Sequence, residues 1–430
     1  MSCGFASGFL ELALSRNLFL TQVLPYPLDA GPKLRAYYTL RHLAARYAVT
    51  LVSFVRDSDR PESIAHLEQF CERVITVPMR RSWLRDGLSL ACSLVTGEPF
   101  LITRDRVPDM AVRLKALFSE NPQPAIGNQQ FDVIHADQLW MAPYALVAGA
   151  EAVKHGYRPK LVLDQHNAVH LIPRRLADSA RNPLSRYLLS LEAAHMARYE
   201  SRLCQQFDHV VWVTAEDQQA VQAISNQQSS TSDRVIPICL DPSATVCHLP
   251  SAISHLLAIL FLGGMHWPPN ADGVRWFVRD VLPRIWARVP GTRFFAVGKN
   301  PLPEIQLQNG AGRVVAPGYV DEPQEYWERS RVFVVPLRAG GGMRVKILDA
   351  WARGLPVVST TIGAEGIAYR HGDNILIADT PEDFAEAVVN VLSDDELAER
   401  LARRGRATVE EHYDWRKVYG AWDEVYDPRR

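Results

Sequence analysis

The sequence lacks the features of membrane-spanning, secreted and disulfide-stabilised proteins. No uninterrupted apolar run is long enough to cross a bilayer. The first residues, MSCGFASGFLELALSRNLFL, have neither the basic start nor the small-residue cleavage pattern of a signal peptide. The six cysteines form no C-x-x-C pair and show no regular spacing, which argues against a disulfide framework and a zinc site. These absences favour a protein of the reducing cytoplasm.

The sequence also has no excess of either charge. Its 47 Lys and Arg residues oppose 48 Asp and Glu residues, so the formal net charge is -1. A general nucleic-acid binder needs surplus cations to neutralise phosphates, and we therefore expect no nucleic-acid partner. No G-x-G-x-x-G motif follows a predicted strand with an acidic residue downstream, which argues against a nicotinamide-dependent oxidoreductase.

One pattern could be taken for a metal site. Asp57-Ser58-Asp59 follows the second predicted strand and offers two carboxylates in a D-x-D arrangement. Pro61 follows closely, and a solvated loop explains the same residues. We favour the loop and predict no metal site.

Strands alternate with helices along most of the chain, which predicts an α/β protein. A length of 430 residues exceeds what one hydrophobic core usually covers, so we expect two domains. The pattern lapses from Asp241 to about Ser254, where Pro242 and Pro250 occur. We place the linker there, between a first domain of residues 1–242 and a second that begins at residue 255.

The stretch VFVVPLRAGGGMRVKILDAWARGLPVVST predicts a strand, a glycine loop, a helix from about Met343 to Gly354, and a strand. Helix starts favour acidic side chains, yet Arg344 and Lys346 lie in the first turn of this helix. An anion bound by the glycine amides, the helix start and both cations would remove that conflict. A plain glycine turn with solvated cations is the alternative, and we favour the anion site. Asp349, one turn on, could accept hydrogen bonds from sugar hydroxyls beside the anion.

Further candidate residues follow predicted parallel strands of the first domain. Gly31 lies in the loop of the first strand–loop–helix unit, His135 and Asp137 lie at the end of FDVIHAD, and His166 ends KLVLDQH. Open α/β sheets bind ligands at the carboxyl ends of their strands, so these residues are placed for chemistry.

Residues 80–94 combine basic and apolar side chains. Arg80, Arg81 and Arg85 accompany Trp83 and several leucines. A helix lying on an anionic membrane has this composition. An ordinary surface helix packed through its leucines explains the residues equally well.

The second half of the chain resembles the family 4 glycosyltransferases, and most closely bacterial polysaccharide-assembly sugar transferases with a PLRxGGGxRxKxLEA-like motif. Residues 336–366 carry this motif, and PYPLDAGPKLR (25–35) is similar to the N-terminal loop of the family. The resemblance implies the GT-B fold, in which two Rossmann-like domains face each other across a cleft. It also implies an acceptor-side domain (1–242), a nucleotide-sugar domain (255–410) and a C-terminal helix (411–430) that crosses back to the first domain.

The same resemblance implies the layout of a donor site. The base would lie near Tyr319 and Val320, and the ribose near Asp349. The residues around the diphosphate would be Gly264, Gly341, Gly342, Arg344 and Lys346, with Gly31 and Lys33 approaching from the first domain. A catalytic histidine of the family falls nearest Asp137, with His135 two residues before it. The family pattern of two glutamates is changed here, because Gly341 occupies the first position and Asp349 the second.

The resemblance thus implies a metal-independent, retaining transfer of a sugar from a nucleoside-diphosphate donor to a hydroxyl of a lipid-linked or polysaccharide glycan. No cofactor is expected besides the donor substrate. The enzyme would work in the cytoplasm, with residues 80–94 touching the inner membrane surface if they form the membrane helix. Two alternatives remain open: a non-catalytic nucleotide-sugar-binding scaffold of an assembly complex, and a GT-B sugar epimerase.

Overall fold

The computed structural model describes residues 15–80, 83–119, 130–180, 182–225, 233–245, 257–306 and 312–427. Within these residues the chain forms two parallel β-sheets, one in each half. The predicted linker of residues 241–254 falls mostly on residues 246–256, outside the described part of the chain. No described helix is both long enough and apolar enough to cross a membrane.

The first sheet has seven strands in the order β3-β2-β1-β4-β5-β6-β7, all parallel. Its strands are β1 (Arg16–Thr21), β2 (Ala48–Val55), β3 (Arg73–Pro78), β4 (Val133–Asp137), β5 (Lys160–Gln165), β6 (His209–Trp212) and β7 (Arg234–Val235). Neighbours on one strand face opposite cores, since Phe19 belongs to a different hydrophobic cluster from Leu18 and Leu20. Both faces of the sheet are therefore buried, as expected of a parallel sheet.

Helices connect these strands and cover both faces. They are α1 (Gly31–Ala44), α2 (Pro61–Glu68), α3 (Trp83–Thr96), α4 (Phe100–Asp105), α5 (Pro108–Ser119), α6 (Ala142–Lys154), α7 (Leu171–Ser179), α8 (Pro183–Cys204) and α9 (Ala215–Ser225). Most of the basic and apolar stretch 80–94 thus lies in α3. Trp83 is 80% exposed and Leu88 is 72% exposed, so these side chains do not pack into the core as an ordinary surface helix would require.

The second sheet has six parallel strands in the order β10-β9-β8-β11-β12-β13. Its strands are β8 (Ala258–Leu262), β9 (Arg293–Val297), β10 (Val314–Gly318), β11 (Val332–Val335), β12 (Val357–Ser359) and β13 (Leu376–Ile377). Its helices are α10 (Pro268–Trp276), α11 (Leu282–Arg288), α12 (Pro303–Gln306), α13 (Gln324–Glu328), α14 (Val345–Ala352), α15 (Pro381–Ser393) and α16 (Asp395–His412). The helix predicted after the glycine loop is α14.

The chain returns to the first domain after α16. It forms two short helices, α17 (Trp415–Val418) and α18 (Trp422–Tyr426), where the sequence suggested one continuous helix. Asp414 caps α17, and a short 3-10 turn at Tyr419–Ala421 separates it from α18. Trp422 and Tyr426 are buried in the same hydrophobic cluster as Phe19 of the first sheet and Trp351 of α14, so one core is continuous between the domains.

The two segments that join the domains run side by side. Leu240 donates its N–H to the carbonyl oxygen of Tyr413 at 3.0 Å, and Trp415 donates to the carbonyl oxygen of Leu240 at 3.2 Å. Both oxygens of Asp241 accept from the Arg416 guanidinium, at 2.7 and 2.5 Å. The outgoing and returning chains are therefore held together where they pass between the domains.

Candidate functional site

The glycine loop lies between β11 and α14, at the carboxyl edge of the second sheet. Gly340 and Gly342 have φ angles of 137° and 75°, in the left-handed region that favours glycine. α14 begins at Val345 with no acidic residue in its first turn and no side-chain cap. No carboxylate therefore offsets the partial positive charge of this helix start.

Arg344 points into the protein beneath this loop and is only 7% exposed. Its Nη1 donates to the carbonyl oxygens of Gly341 and Gly342, at 2.5 and 2.9 Å, and its Nη2 donates to that of Ile362 at 3.3 Å. Its buried Nε has no hydrogen-bond partner among the described residues. Burial lowers the pKa of Arg344 to about 10, so the guanidinium stays charged at neutral pH.

Lys346 reaches from α14 to the loop that follows β8. Its Nζ donates to Oδ1 of Asn270 at 3.1 Å and lies 4.7 Å from the centre of the Phe261 ring. Nδ2 of Asn270 donates in turn to the carbonyl oxygen of Gly264, at 2.9 Å. Burial, with a contribution from the charge of Arg344, lowers the pKa of Lys346 to about 7. The amine thus lies beside Gly263, where a Cβ atom would be 2.8 Å from it, with an amide oxygen and a ring face as its other neighbours.

Asp349 has a partner within its own helix. Its carboxylate accepts from Nε of Arg353 at 3.1 Å, and Nη1 of Arg353 also donates to Oε1 of Gln324 at 2.8 Å. Burial raises the pKa of Asp349, while Arg353 acts in the opposite direction. A sugar hydroxyl at Asp349 would have to share the carboxylate with Arg353.

The first domain touches the glycine loop directly. A Cβ atom placed on Gly342 would lie 2.9 Å from Cβ of Asn167 and 3.3 Å from the carbonyl oxygen of His166. A Cβ atom placed on Gly341 would meet nothing closer than Cγ1 of Ile172, at 3.7 Å. The two domains are therefore closed onto each other at Gly342, whereas Gly341 leaves room.

Two other predicted donor-site residues, Gly31 and Lys33, lie at the start of α1 in the first domain. A Cβ atom on Gly31, which opens α1, would lie 3.2 Å from Cγ2 of Val345 at the start of α14. Nζ of Lys33 pairs with Oδ1 of Asp29 at 2.9 Å. Gly31 thus approaches α14 across the domain boundary, and Lys33 has a carboxylate partner within its own domain.

The predicted base site follows β10. Val320 is half-buried, and its neighbour Tyr319 is 48% exposed. Nζ of Lys299 lies 4.4 Å from the centre of the Tyr319 ring. These side chains lie at the carboxyl edge of the second sheet, on the side of β8 opposite to the glycine loop.

In the first domain, Asp137 and His166 form a buried pair across neighbouring strands. Nε2 of His166 lies 2.9 Å from Oδ1 of Asp137 and 3.7 Å from Oδ2 of Asp164. Burial alone would lower the pKa of His166, but the two carboxylates outweigh it and raise the pKa to about 9. Nδ1 of His166 and Oδ2 of Asp137 have no hydrogen-bond partner among the described residues. The pair therefore keeps a free ring nitrogen beside the closed cleft.

His135 lies deeper, within the core. Its ring stacks on Phe19 with the centroids 4.1 Å apart, and its Nδ1 is 2.7 Å from the hydroxyl of Tyr426. No part of His135 is exposed, and burial lowers its pKa to about 3. The structure thus places His135 behind Asp164 and under the returning C-terminal segment, away from any surface that a substrate could reach.

Ligand atoms of His135, Asp137 and Asp164 lie within 4.8 Å of one another and could in principle surround a metal ion. Arg35 donates to both oxygens of Asp164, at 2.8 and 2.9 Å. A divalent ion would have to lie beside this guanidinium and the His166 ring, and both disfavour a further cation. These residues fit a buried ion-pair network better than a metal site.

Sequence reasoning did not single out Arg35 and Asp164, although they hold this network together. Nη1 of Arg35 also donates to the carbonyl oxygen of Pro237 at 2.8 Å and to the hydroxyl of Tyr419 at 3.4 Å. An arginine in the amphipathic pattern of α1 is typical of a surface residue, and its three hydrogen-bond partners are too distant in sequence to indicate otherwise. The one usable signal was Asp164 within a strand whose other residues are mostly apolar.

Comparison with known proteins places this geometry in context. Residues 257–394 match the family described as Glycosyl transferases group 1. An uncharacterised 44.6 kDa protein of the cps region of Klebsiella pneumoniae is 28% identical over 175 residues, which are 39% of this chain and 45% of that protein. The lipopolysaccharide core biosynthesis glycosyltransferase LpsE of Rhizobium meliloti is 32% identical over 130 residues, which are 29% of this chain and 38% of LpsE. The chain thus matches less than half the length of these curated relatives.

A solved structure extends the likeness to nearly the whole chain. HepE of Anabaena, solved in complex with UDP and glucose, superposes with a TM-score of 0.64 at 14% identity. The match covers 96% of this chain and 99% of HepE. The chain therefore has the predicted GT-B fold, with two Rossmann-like domains, and the match to group 1 glycosyltransferases falls in the second of them.

Proposed function

We propose that this chain is a glycosyltransferase of family 4 that moves a sugar from a nucleoside-diphosphate sugar to a hydroxyl of a lipid-linked or polysaccharide glycan. One observation carries the proposal: the Arg344 guanidinium is buried beneath a glycine loop and the Lys346 amine reaches Asn270, at a helix start that has no acidic side chain. The group 1 match over residues 257–394 and the homology to LpsE support the reaction class and the kind of acceptor.

The proposed chemistry follows from the charge that the reaction creates. Breaking the bond between the sugar and the diphosphate leaves negative charge on the departing diphosphate. The N–H groups of the glycine loop, the start of α14 and the ammonium of Lys346 would stabilise that charge, with Arg344 holding the loop and adding its own charge. We propose that these fixed groups carry out the transfer without a metal ion, and the family resemblance supports retention of the anomeric configuration.

The remaining donor contacts are proposed at both walls of the cleft. The base would lie against Val320 and Tyr319, the ribose beside Asp349, and the phosphates between Gly264 and the glycine loop. Gly31 and Lys33 would complete the site from the first domain.

On the first-domain side, we propose that His166, rather than His135, contacts the reacting sugar. Its Nδ1 is free, and Asp137 and Asp164 favour the protonated ring, so the ring can donate a hydrogen bond. Asp137 would hold the ring and His135 would support Asp164 from behind. A His166→Asn variant that folds and keeps the wild-type kcat would remove His166 from the mechanism.

The experiment that tests the function is a panel of UDP-, GDP- and ADP-sugars incubated with membrane extracts as the source of glycan acceptor. We expect one donor to bind and its sugar to appear on the acceptor. Binding of a donor without transfer or hydrolysis would instead favour a non-catalytic scaffold. The missing side chain at Gly341 and the pairing of Asp349 with Arg353 are the observations that favour this second candidate.

We also propose that a cytoplasmic enzyme of this kind touches an anionic membrane surface through α3. Trp83 and Leu88 are largely exposed, and Arg80 is exposed just before the helix. Arg81 and the side chain of Arg85 lie outside the described part of the chain. Exposed aromatic and apolar side chains next to cations suit the boundary between lipid headgroups and acyl chains. Co-sedimentation with phosphatidylglycerol-containing liposomes should fall in a Trp83→Ala/Leu88→Ala variant, and unchanged binding would argue against this surface.

A further inference from the structure

Arg175 connects the first domain to two separate segments of the second. It lies on α7, and its Nη1 and Nη2 donate to the two carboxylate oxygens of Glu365, at 2.5 and 2.7 Å. Nη1 also donates to the carbonyl oxygen of Gly340, in the glycine loop. Both charged side chains are half-buried, at 26% and 28% exposure, so the pair is partly protected from solvent screening.

The same two segments are joined from within the second domain by Arg344. This guanidinium bonds Gly341 and Gly342 on one side and Ile362 on the other. Two arginines from opposite domains therefore hold the glycine loop against the segment 362–365. Carbonyl oxygens that accept from a guanidinium are held in place, which also orients the N–H groups of the same peptide units.

The part of the first domain around Arg175 is itself fixed by buried carboxylates. Glu200 accepts from the N–H of Val169 and lies 2.7 Å from Nδ1 of His170, at the base of α7. Asp217 accepts from the N–H of Ala168 at 2.8 Å. Glu200 is fully buried and Asp217 nearly so, so α7 starts from a firmly held loop.

We propose that Arg175 is a positioning residue that sets the conformation of the glycine loop from the opposite domain. The diphosphate-binding arrangement of the loop then exists only when the cleft is closed. This inference rests on the proposed function and deepens it, because it names a residue outside the second domain on which donor binding depends. Arg175 acts through Gly340 and Glu365 and need not touch the donor.

The first test is hydrogen exchange of the protein without nucleotide, comparing Arg175→Ala with Arg174→Ala. Arg174 is the adjacent residue of α7 and is exposed, which makes it a matched control. In Arg175→Ala we expect peptides covering residues 340–343 and 362–366 to exchange about tenfold faster, the scale of losing charge-assisted hydrogen bonds. Peptides from β4, β5 and β8 should be unchanged. Equal exchange of the glycine loop in the two variants would overturn the proposal.

The second test measures the Kd of UDP and of GDP, with KM and kcat for whichever sugar nucleotide the wild type uses. Arg175→Ala should weaken nucleotide binding and raise donor KM by about tenfold, with kcat at saturating donor much less affected. Arg175→Lys should recover part of the affinity, because lysine can still donate to Gly340. A change in kcat with unaltered Kd and KM would contradict the positioning role.

A charge exchange separates loop positioning from simple domain closure. The Arg175→Glu/Glu365→Arg variant can restore the ion pair, but glutamate cannot donate to the carbonyl oxygen of Gly340. We expect nucleotide binding to stay weak in this variant, and full recovery would reduce Arg175 to a closure contact and overturn the proposal. If the wild type binds neither nucleotide and transfers no sugar, the proposed function fails. The hydrogen-exchange experiment needs no nucleotide and still decides the role of Arg175.

Discussion

Arg344 and Lys346 lie two residues apart, yet their surroundings differ. Arg344 is surrounded by carbonyl oxygens that it holds in place, and it remains charged at neutral pH. Lys346 has one amide oxygen and a ring face beside it, and burial brings its pKa to about 7. We expect Arg344 to shape the phosphate site and Lys346 to supply charge that depends on pH.

Replacing Arg344 with alanine should slow sugar transfer by roughly a hundredfold or more while the protein stays folded, the scale of losing one preorganised donor. The measurement is kcat/KM for the donor, with circular dichroism to confirm folding. Arg279→Ala is the control, because this exposed guanidinium pairs with its sequence neighbour Asp280 at the surface. Transfer within a few-fold of wild type would remove Arg344 from the mechanism.

Donor affinity should fall as the pH rises above about 7, because Lys346 then loses its proton and its charge. Below that pH the ammonium is present before the donor binds, and above it a proton must be taken up on binding. Once Lys346 is mostly neutral, each further pH unit should weaken binding by up to about tenfold. Titration calorimetry in buffers of different ionisation enthalpy measures both effects. Affinity that is flat from pH 6 to 9, with no proton uptake, would contradict this assignment.

Single residues were predictable where their charge conflicts with local structure. The sequence alone shows basic residues at a predicted helix start, so Arg344 and Lys346 could be selected without a structure. His135 shows the limit of that reasoning. The strand pattern places it near the sheet edge, but the ring of Trp422, 5.5 Å away, and Tyr426 come from nearly 300 positions later and cover it.

At the scale of elements, the glycine loop combines three glycines with different requirements. Gly342 needs its left-handed backbone and lies against Asn167, whereas Gly341 lies outside the left-handed region and has room for a Cβ atom, 3.7 Å from Cγ1 of Ile172. A side chain at Gly342 would press on the opposite domain. The loop is thus shaped partly by its own backbone and partly by the first domain.

Gly342→Ala should destabilise the protein by more than about 1 kcal/mol, because alanine is strained at positive φ and its Cβ would meet Asn167. It should also raise the donor KM, since the domains could not close fully. Gly341→Ala is the matched comparison and should stay close to wild type in stability, because its Cβ would meet nothing closer than 3.7 Å. Urea unfolding and donor kinetics measure the pair, and equal effects of the two substitutions would refute the distinction.

Elements with a clear hydrophobic period were placed well from the sequence. The strand before the glycine loop and helix α14 follow from β-branched residues, from glycine and from helical spacing. The break between α17 and α18 has one signal in the segment DWRKVYGAWDEVY, Gly420, which lies in the 3-10 turn between them, but a single glycine in a helical pattern does not by itself place a break. Its course is set by burial of Tyr419 and Trp422 against Arg35, which is a tertiary effect.

At the scale of the whole molecule, the last described residues stabilise the domain from which they are most distant in sequence. Trp422 is fully buried, with the Arg35 guanidinium 4.8 Å from its ring centre. Tyr426 covers His135, and Asp423 lies 2.8 Å from Nε2 of His42 on α1. The first sheet therefore depends on the C-terminal segment for part of its core.

Trp422→Ala should lower the free energy of unfolding by about 3–5 kcal/mol, the usual cost of removing a large buried aromatic side chain. Hydrogen exchange should show the loss in β4 and β5 rather than in β8 and β11. Trp267→Ala, at a site that is 43% exposed, is the control and should change stability by much less. Exchange that accelerates equally in both sheets would show that the segment does not act on the first domain in particular.

The two-domain plan was predictable because each half carries its own alternation of strands and helices. The contacts between the two halves were not predictable. Gly342 packs against Asn167 and Arg175 pairs with Glu365, and no local sequence pattern indicates either contact. Such contacts depend on how surfaces that are distant in sequence fit together in the folded chain.

The paired connection at Leu240 and Tyr413–Trp415 restricts how the lobes can separate. The two chain segments are hydrogen-bonded to each other here, and Arg35 binds both Pro237 and Tyr419 beside them, so the connection can act as a hinge between the domains. Sliding of one domain along the other would break these hydrogen bonds, whereas rotation about the hinge would preserve them. Rotation about this hinge that opens the cleft should therefore separate Gly31 from Val345 and Gly342 from Asn167.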